Sequence, residues 1–192
     1  MGLLELLRGD FQLHGALLKD PGLWVLAAYR LRVHSTELKP GTFLRLAVGV
    51  SEKVAFAVGL VTRTTLPTDA KIGERLHLIH AMNVTIPPGV EIGDGVGIMH
   101  QVTIGPSHEG DGVPKIGDGV FIGAGASILG PVNVGAGAMI SANSLVISDV
   151  PPGAFAVGVP AKAIRWSKPS NDTVAEAPTG AHAQGSVGSK DN

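Results

Sequence analysis

Two histidines and two alanines stand at matching positions of an aliphatic repeat in this chain of 192 residues. Each lies two residues after an aliphatic member of that repeat, and the four are His80, His100, Ala124 and Ala142. The imidazole side chain has an unperturbed pKa near neutrality, so either histidine can take a proton from a hydroxyl as that hydroxyl attacks. If the four positions stack, two candidate bases lie beside a smooth line of small side chains. That arrangement suits the transfer of a group from a long, thin cofactor.

The repeat has a period of six residues, with two longer intervals. Its members are Ile72, Leu78, Val84, Ile92, Ile98, Ile104, Ile116, Ile122, Ile128, Val134, Ile140 and Val146. A helix repeats every 3.6 residues and a strand every two, so a period of six fits neither as a continuous element. It predicts a short strand followed by a corner, with three such sides closing each coil of about 18 residues. We therefore predict a mainly β fold, a parallel β-helix of hexapeptide repeats.

The two longer intervals are interpreted as insertions at corners. The step from Val84 to Ile92 has two extra residues, which we place at Pro87 and Pro88 or their neighbours. This placement brings His80 and His100 into one column, with about 4.8 Å between rungs. The step from Ile104 to Ile116 has six extra residues, and it contains the polar, glycine-rich stretch 106–113. Loops that leave a regular scaffold often carry function.

The sequence predicts three regions. Residues 1–62 form a short helical segment, residues 63–166 form the coil and its C-terminal cap, and residues 167–192 form a disordered tail poor in large apolar residues. The predicted helices begin near Leu3, after Asp20-Pro21-Gly22, and at Thr42. They are expected to pack on the first coil, because an open sheet end needs covering.

Composition excludes several classes of function. The formal net charge is −1, so no nucleic-acid-binding surface is indicated. The chain has no cysteine, which excludes disulfides, thiolate chemistry and cysteine-ligated metal sites. No secretory signal is evident, and the apolar stretch 46–61 is broken by Glu52 and Lys53. We predict a cytoplasmic protein without a membrane span.

The middle of the chain resembles the serine acetyltransferase branch of the hexapeptide-repeat acyltransferases. The matching stretches are residues 70–73, 78–81, 101–105, 114–126, 128–130 and 157–162, and the resemblance covers roughly residues 24 to 165. It implies a left-handed coil, acetyl-CoA as co-substrate, and a homotrimer whose sites lie between neighbouring chains. No metal is expected.

The resemblance also implies roles for individual residues. His80 falls on the catalytic base of the family. Gly105, Ala124 and Ala142 fall where small residues line the pantetheine arm of CoA, and Lys162 falls where a cation can meet its phosphates. His100 could bind the acceptor hydroxyl, polarise the thioester carbonyl or hold His80.

Three departures from the family pattern affect the acceptor. Ile79 stands where the family has an aspartate, and Gly112-Val113 stands where it has Arg-His. Thr65 is the nearest match to an aspartate that orients the base. We therefore predict an O-acetyltransferase acting on a saccharide hydroxyl, closest in pattern to the polysaccharide-biosynthesis members of the family, with His100 and His108 as acceptor contacts. The alternative is a serine O-acetyltransferase with a rebuilt acceptor site.

Two other classes of protein are weighed against this prediction. A metal enzyme of the γ-carbonic anhydrase type shares the fold and uses three histidines, but it needs a pair spaced five residues apart, which this sequence lacks. A non-catalytic scaffold would need neither the two histidines nor the polar loop. His77 is expected to point outward and to lie on the surface.

Overall fold

The computed structural model describes residues 2–14, 20–35, 42–64 and 66–165. Three helices precede the strands: α1 (Leu3–Leu13), α2 (Pro21–Ser35) and α3 (Thr42–Thr62). The strands are β1 (Lys71–Ile72), β2 (His77–Leu78), β3 (Glu91–Ile92), β4 (Gly97–Ile98), β5 (Thr103–Gly105), β6 (Lys115–Ile116), β7 (Phe121–Ile122), β8 (Ser127–Leu129), β9 (Asn133–Val134), β10 (Met139–Ile140), β11 (Leu145–Val146), β12 (Ala154–Gly158) and β13 (Ala161–Arg165).

The short strands stack into three parallel sheets, which are the three sides of a coil. Side one contains β1, β3, β6 and β9, side two contains β2, β4, β7 and β10, and side three contains β5, β8 and β11. The antiparallel hairpin of β12 and β13 extends side two at its C-terminal end. The predicted left-handed parallel β-helix with a short helical N-terminal segment is confirmed.

The six-residue repeat forms the core of the coil. Its side chains point inward from every side, and Leu78, Ile98 and Ile122 are fully buried. The residues two positions earlier, such as Val96 and Val120, are buried as well, because residues two apart share one face of a strand. Each six-residue side of the coil therefore buries two aliphatic side chains, which accounts for the six-residue period in the sequence.

The two-residue insertion lies at a different corner from the one predicted. Thr85 pairs with Thr103, so Ile86 lies opposite Ile104 and Val84 lies opposite Val102. The extra residues therefore fall between Leu78 and Ile86, and the placement at Pro87 and Pro88 was wrong. Val84 and Ile86 are both aliphatic and both buried, so the period alone could not tell which of them continues the repeat.

The helices are attached to the first rung of side one by buried polar groups. Tyr29 Oη donates to the Ala70 carbonyl at 2.7 Å, and Arg30 Nη1 donates to the Ile72 carbonyl at 2.9 Å. Arg30 also pairs with Asp10 of α1 at 3.1 Å. Burial raises the pKa of the Asp10 carboxyl, and the Arg30 guanidinium opposes that shift.

Some predictions fall outside the described residues. Thr65, Trp166 and the tail 167–192 belong to this group, so the predicted disorder of the tail stays a prediction. Among the described helices, none is long and apolar enough to cross a membrane. The cytoplasmic location likewise stays a prediction.

Candidate active site

His80 lies in the inserted corner, residues 79–83, which we call the His80 corner. Two of its residues, His80 and Asn83, have positive φ angles of 53° and 54°. The three later corners between sides two and three each have a single residue of this kind, and these are Gln101, Gly125 and Asn143. The second left-handed residue accommodates the two extra positions, and the His80 side chain is exposed.

The insertion moves His80 out of the column predicted from the sequence. The Gln101 N–H donates to the Met82 carbonyl at 2.8 Å, and the Gly125 N–H donates to the His100 carbonyl at 3.0 Å. Met82 therefore occupies the rung beneath His100. The two imidazoles are nevertheless neighbours, with ring centroids 6.3 Å apart and an interplanar angle of 60°.

His100 has an unsatisfied ring nitrogen. Its side chain is half-buried, and its Nδ1 atom is buried without a hydrogen-bond partner among the described residues. An unpaired buried polar atom costs about 1–3 kcal/mol. A ligand group that bonds to this nitrogen would recover that free energy, so His100 is suited to contact an acceptor beside His80.

Above His100 the same column contains only small residues. Ala124 follows it, and the Asn143 N–H donates to the Ala124 carbonyl at 2.9 Å, which places Ala142 on the next rung. Since Ile140 pairs with Ala156, Ala142 lies opposite Gly158, and Gly158 pairs with Ala161. We call Ala124, Ala142, Gly158 and Ala161 the small-residue track. It extends from His100 over four rungs, roughly 19 Å at 4.8 Å per rung.

Lys162 stands at the end of the small-residue track. It follows Ala161 in β13, pairs with Val157 and is exposed. Gly158 and Ala161 were missed as track residues from the sequence, although both belong to the stretch 157–162 that carries the resemblance. Their alignment depends on the register of the β12–β13 hairpin, and the six-residue period does not extend into that hairpin.

Gly105 and His108 are not brought to the His80 corner within one chain. Gly105 ends β5 on side three, where its carbonyl accepts the Gly130 N–H at 2.9 Å. His108 is exposed on the loop 106–113, and its Nδ1 lies 3.5 Å from a carboxylate oxygen of Asp111. Both lie towards the corner between sides three and one, whereas His80 lies between sides two and three.

His77 does not lie free on the surface as expected. It is half-buried, and its ring packs edge-on against buried His14, with centroids 5.0 Å apart and an interplanar angle of 80°. Burial lowers the pKa of His77, nearby His14 and His80 add to that shift, and Asp20 opposes it. The end of α1 covers this side chain, which the sequence period could not reveal.

The positions that depart from the family pattern carry apolar residues or glycine. Ile79 is half-buried, and Val113 is half-buried and packs against the core of the coil. A β-carbon added at Gly112 would lie 2.9 Å from Pro131 Cβ. Within the described part of the chain, no group of three or more histidines and acidic residues is arranged to hold a metal ion.

The comparisons with known proteins agree with this architecture. The bacterial transferase hexapeptide family (six repeats) matches residues 114–148. A serine acetyltransferase from Helicobacter pylori (strain J99) is 40% identical over 150 residues, which are 77% of this chain and 84% of that protein. The chain belongs to the serine acetyltransferase family.

Other members of the family are longer than this chain. A serine acetyltransferase from Mycobacterium tuberculosis is 43% identical over 113 residues, which are 58% of this chain and 49% of that protein. The chain therefore spans about half the length of that relative. The crystal structure of a Brucella abortus serine acetyltransferase in complex with coenzyme A has a TM-score of 0.67 and 29% identity, and the match covers 86% of this chain and 68% of that one.

Proposed function

We propose that this protein is an acetyl-CoA-dependent O-acetyltransferase and that its acceptor is the hydroxyl of serine. The observation that carries the proposal is the neighbouring pair His80 and His100 at the foot of the small-residue track. A pair of imidazoles provides the base that an alcohol needs before it can attack a thioester. Membership of the serine acetyltransferase family supports both the donor and the acceptor.

The proposed reaction is a single acyl transfer. His80 removes the hydroxyl proton as the acceptor oxygen attacks the thioester carbonyl, and the new C–O bond forms. The C–S bond then breaks, and the leaving CoA thiolate takes the proton from the protonated His80. The exposed position of His80 allows an acceptor to approach from solvent. His100 contacts the acceptor through its unpaired nitrogen.

The small-residue track is proposed to bind the pantetheine arm of acetyl-CoA. Ala124 and Ala142 leave room for a thin chain to lie against the corner, and Gly158 and Ala161 continue that path. Lys162 at its end is an exposed cation that attracts the phosphates of CoA. The Brucella relative, which binds coenzyme A, supports this assignment.

A homotrimer is proposed because the outward face of side two is apolar. Its outward apolar residues are Ile79, Met99, Phe121, Met139, Phe155, Val157 and Ile164, and the same face also carries His77, Ser141 and Lys162. Large exposed apolar surfaces of this kind mark interaction sites. Gly105 and His108 lie at another corner of the same chain, so they can line the site only from a neighbouring copy.

A saccharide hydroxyl is the second candidate acceptor. The relatives compared above are named serine acetyltransferases, so the saccharide acceptor and the polysaccharide-biosynthesis role predicted from the sequence receive no support from them. The observation in favour of a saccharide is that apolar Ile79 and Val113 stand where the family has charged groups, so neither side chain can pair with a carboxylate or an ammonium. A buried carboxylate or ammonium needs charged or hydrogen-bonding partners, and a sugar hydroxyl can be held by neutral ones.

One set of rate measurements tests the proposal. The purified protein is expected to release CoA from acetyl-CoA with L-serine, and His80→Ala is expected to lower the rate by about 10²–10⁴-fold with nearly unchanged CoA affinity. His34→Ala, a change at the end of α2, is the matched control and should keep the full rate.

The acceptor panel in the same assay includes free sugars and nucleotide sugars. Turnover with sugars but not with serine would replace the proposed acceptor by a saccharide. No turnover with any acceptor, or full turnover in His80→Ala, would contradict the proposed mechanism.

A further inference from the structure

His14, at the end of α1, is buried with only one of its two ring nitrogens hydrogen-bonded among the described residues. It is 3% exposed, and its Nδ1 lies 2.8 Å from the Asp10 carbonyl oxygen. A carbonyl only accepts hydrogen bonds, so Nδ1 carries the ring proton of neutral His14. Its other ring nitrogen, Nε2, is buried and has no hydrogen-bond partner among the described residues.

The ring of His14 meets the coil at His77. The two imidazoles are edge-to-face, with centroids 5.0 Å apart. His77 belongs to β2 and precedes His80 by three residues, so this contact joins α1 to the strand that leads into the His80 corner. Nothing in the acetyl-transfer chemistry above uses either side chain.

We propose that the His14–His77 contact positions the His80 corner against the N-terminal helices, and that it does so only while the His77 imidazole is uncharged. The role of His80 in this statement rests on the proposed function. The contact itself is a property of the fold and can be measured without any turnover.

The geometry explains why charge opposes the contact. The ring of His14 is buried, and its Nε2 has no hydrogen-bond partner among the described residues. A charge on His77 would face that ring at 5.0 Å between centroids. Two positive imidazoles at this distance repel each other, and the half-buried setting weakens solvent screening.

The other charged groups around the pair partly offset one another. From the helices, Asp10 is paired with Arg30, and Asp20 lies near His77. From the coil, Arg75, Asp94 and Asp118 line the same groove as His77, so one cation faces two carboxylates there. His80 is also close enough to oppose a charge on His77.

The direction in which stability changes with pH follows from the pKa of His77. Burial is the main cause that lowers its pKa in the folded chain below the ordinary value of about 6.5. Between the two pKa values, His77 therefore binds a proton in the unfolded chain but not in the folded chain. The stabilisation is fully present above pH 6.5, and it is lost as the pH falls from there through the lowered folded pKa.

Phenylalanine variants test the contact, because that ring keeps edge-to-face packing and cannot be protonated. Hydrogen exchange of residues 3–14 is measured in the full chain between pH 8 and pH 5.5, together with kcat. In the wild type, the protection factor of α1 is expected to fall below pH 6.5 by up to about tenfold per pH unit. In His77→Phe this fall is expected to be lost.

His34→Phe is the matched control. His34 also bonds through Nδ1 to a carbonyl four residues earlier, that of Arg30, at 3.2 Å, and it has no histidine ring against it among the described residues. This variant should follow the wild type. His14→Phe should keep a weaker pH dependence than the wild type, because it removes the repulsion from His14 but not the burial of His77. If it does not fold, His77→Phe still reports on the same contact from the coil side.

The dependence of kcat on pH distinguishes a role in positioning the His80 corner from a general effect on stability. The acid limb of log kcat against pH should be steeper in the wild type than in His77→Phe, because loss of the contact adds to the fall in rate only where His77 can be protonated. A pH-dependent protection factor in His77→Phe, equal to that of the wild type, would overturn the proposal. If no variant turns over, acetyl transfer is refuted, and the exchange profile alone decides the contact.

Discussion

A left-handed backbone conformation places the candidate base at the edge of the coil. His80 has a φ of 53°, which is unfavourable for a residue with a side chain, by about 1 kcal/mol or more. Such conformations persist only where the surroundings impose them. Here the Asn83 N–H donates to the Thr62 carbonyl at 2.7 Å, and the Val84 N–H donates to Thr64 Oγ1 at 3.2 Å. The end of α3 therefore fixes the corner from which His80 projects.

Ala142 tests the small-residue track directly. It is exposed on the track, so a leucine there adds bulk to the groove and leaves no cavity in the core. Ala142→Leu is expected to weaken CoA binding by about 10–100-fold, a cost of 1–3 kcal/mol for overfilling a packed contact. Calorimetric titration with CoA measures the change.

Ala136→Leu is the matched control for that titration. Ala136 is also exposed, and it lies in the same coil at the corner between sides one and two. It should bind CoA as the wild type does. Equal CoA affinity in a folded Ala142→Leu variant would show that the cofactor lies elsewhere.

Individual site residues could be predicted only where they belong to the six-residue repeat or to a known family motif. His80 and His100 were proposed because both follow repeat positions by two. Their rings are neighbours in the structure, although the insertion moves His80 out of the predicted column. Gly158 and Ala161 belong to a hairpin whose register depends on backbone pairing. His14 lies 63 residues before His77, and only the docking of α1 brings them together.

At the scale of elements, the docking of α2 sets the other side of the His80 corner. Asp20 caps this helix by accepting the Gly22 N–H at 2.8 Å, and Pro21 opens it. A β-carbon at Gly22 would lie 2.8 Å from the Leu78 carbonyl oxygen and 3.2 Å from Ala81 Cβ. Only glycine allows the helix to approach the corner this closely.

Gly22→Ala is therefore expected to destabilise the chain and to disturb the candidate base. The clash is with backbone, so the helix or the corner must move, at a cost of about 1–3 kcal/mol. Chemical denaturation should show the loss, and the rate with acetyl-CoA should fall with it.

Gly49→Ala provides the control in α3. A β-carbon there meets nothing within 4 Å, so the substitution should stabilise the chain by up to about 1 kcal/mol through helix propensity. A Gly22→Ala variant as stable and active as Gly49→Ala would show that close packing at Leu78 does not constrain the corner.

The helices and strands could be predicted where the local sequence pattern determines them. The position of an irregular corner could not be predicted in this way. The three helices and the six-residue sides follow from caps, turns and spacing. The inserted corner was misplaced because Val84 and Ile86 both suit the interior, and only the pairing of Thr85 with Thr103 separates them. Sequence spacing measures the length of an insertion but does not locate it between two equivalent aliphatic residues.

At the scale of the whole molecule, the sides of the coil differ in polarity. Side one carries a ladder in which Glu91 pairs with Lys71 at 2.8 Å and with Lys115 at 3.3 Å. The next residue in this ladder is Asn133. These groups are well solvated on an exposed face. Side two has no equivalent ladder among its described outward residues, where methionine, phenylalanine and isoleucine predominate.

This asymmetry predicts association through side two, and the family resemblance makes a trimer the expected assembly. Light scattering of the purified protein should give three chain masses. Met139→Glu places a charge on exposed Met139 at the centre of the apolar face, where burial against a neighbour would cost several kcal/mol, so it should dissociate the trimer and lower turnover. Asn133→Glu places the same charge on side one of the same coil and should remain trimeric. A wild-type monomer, or equal assembly of the two variants, would contradict an interface on side two, and a hexamer would show that the N-terminal helices suffice to pair two trimers.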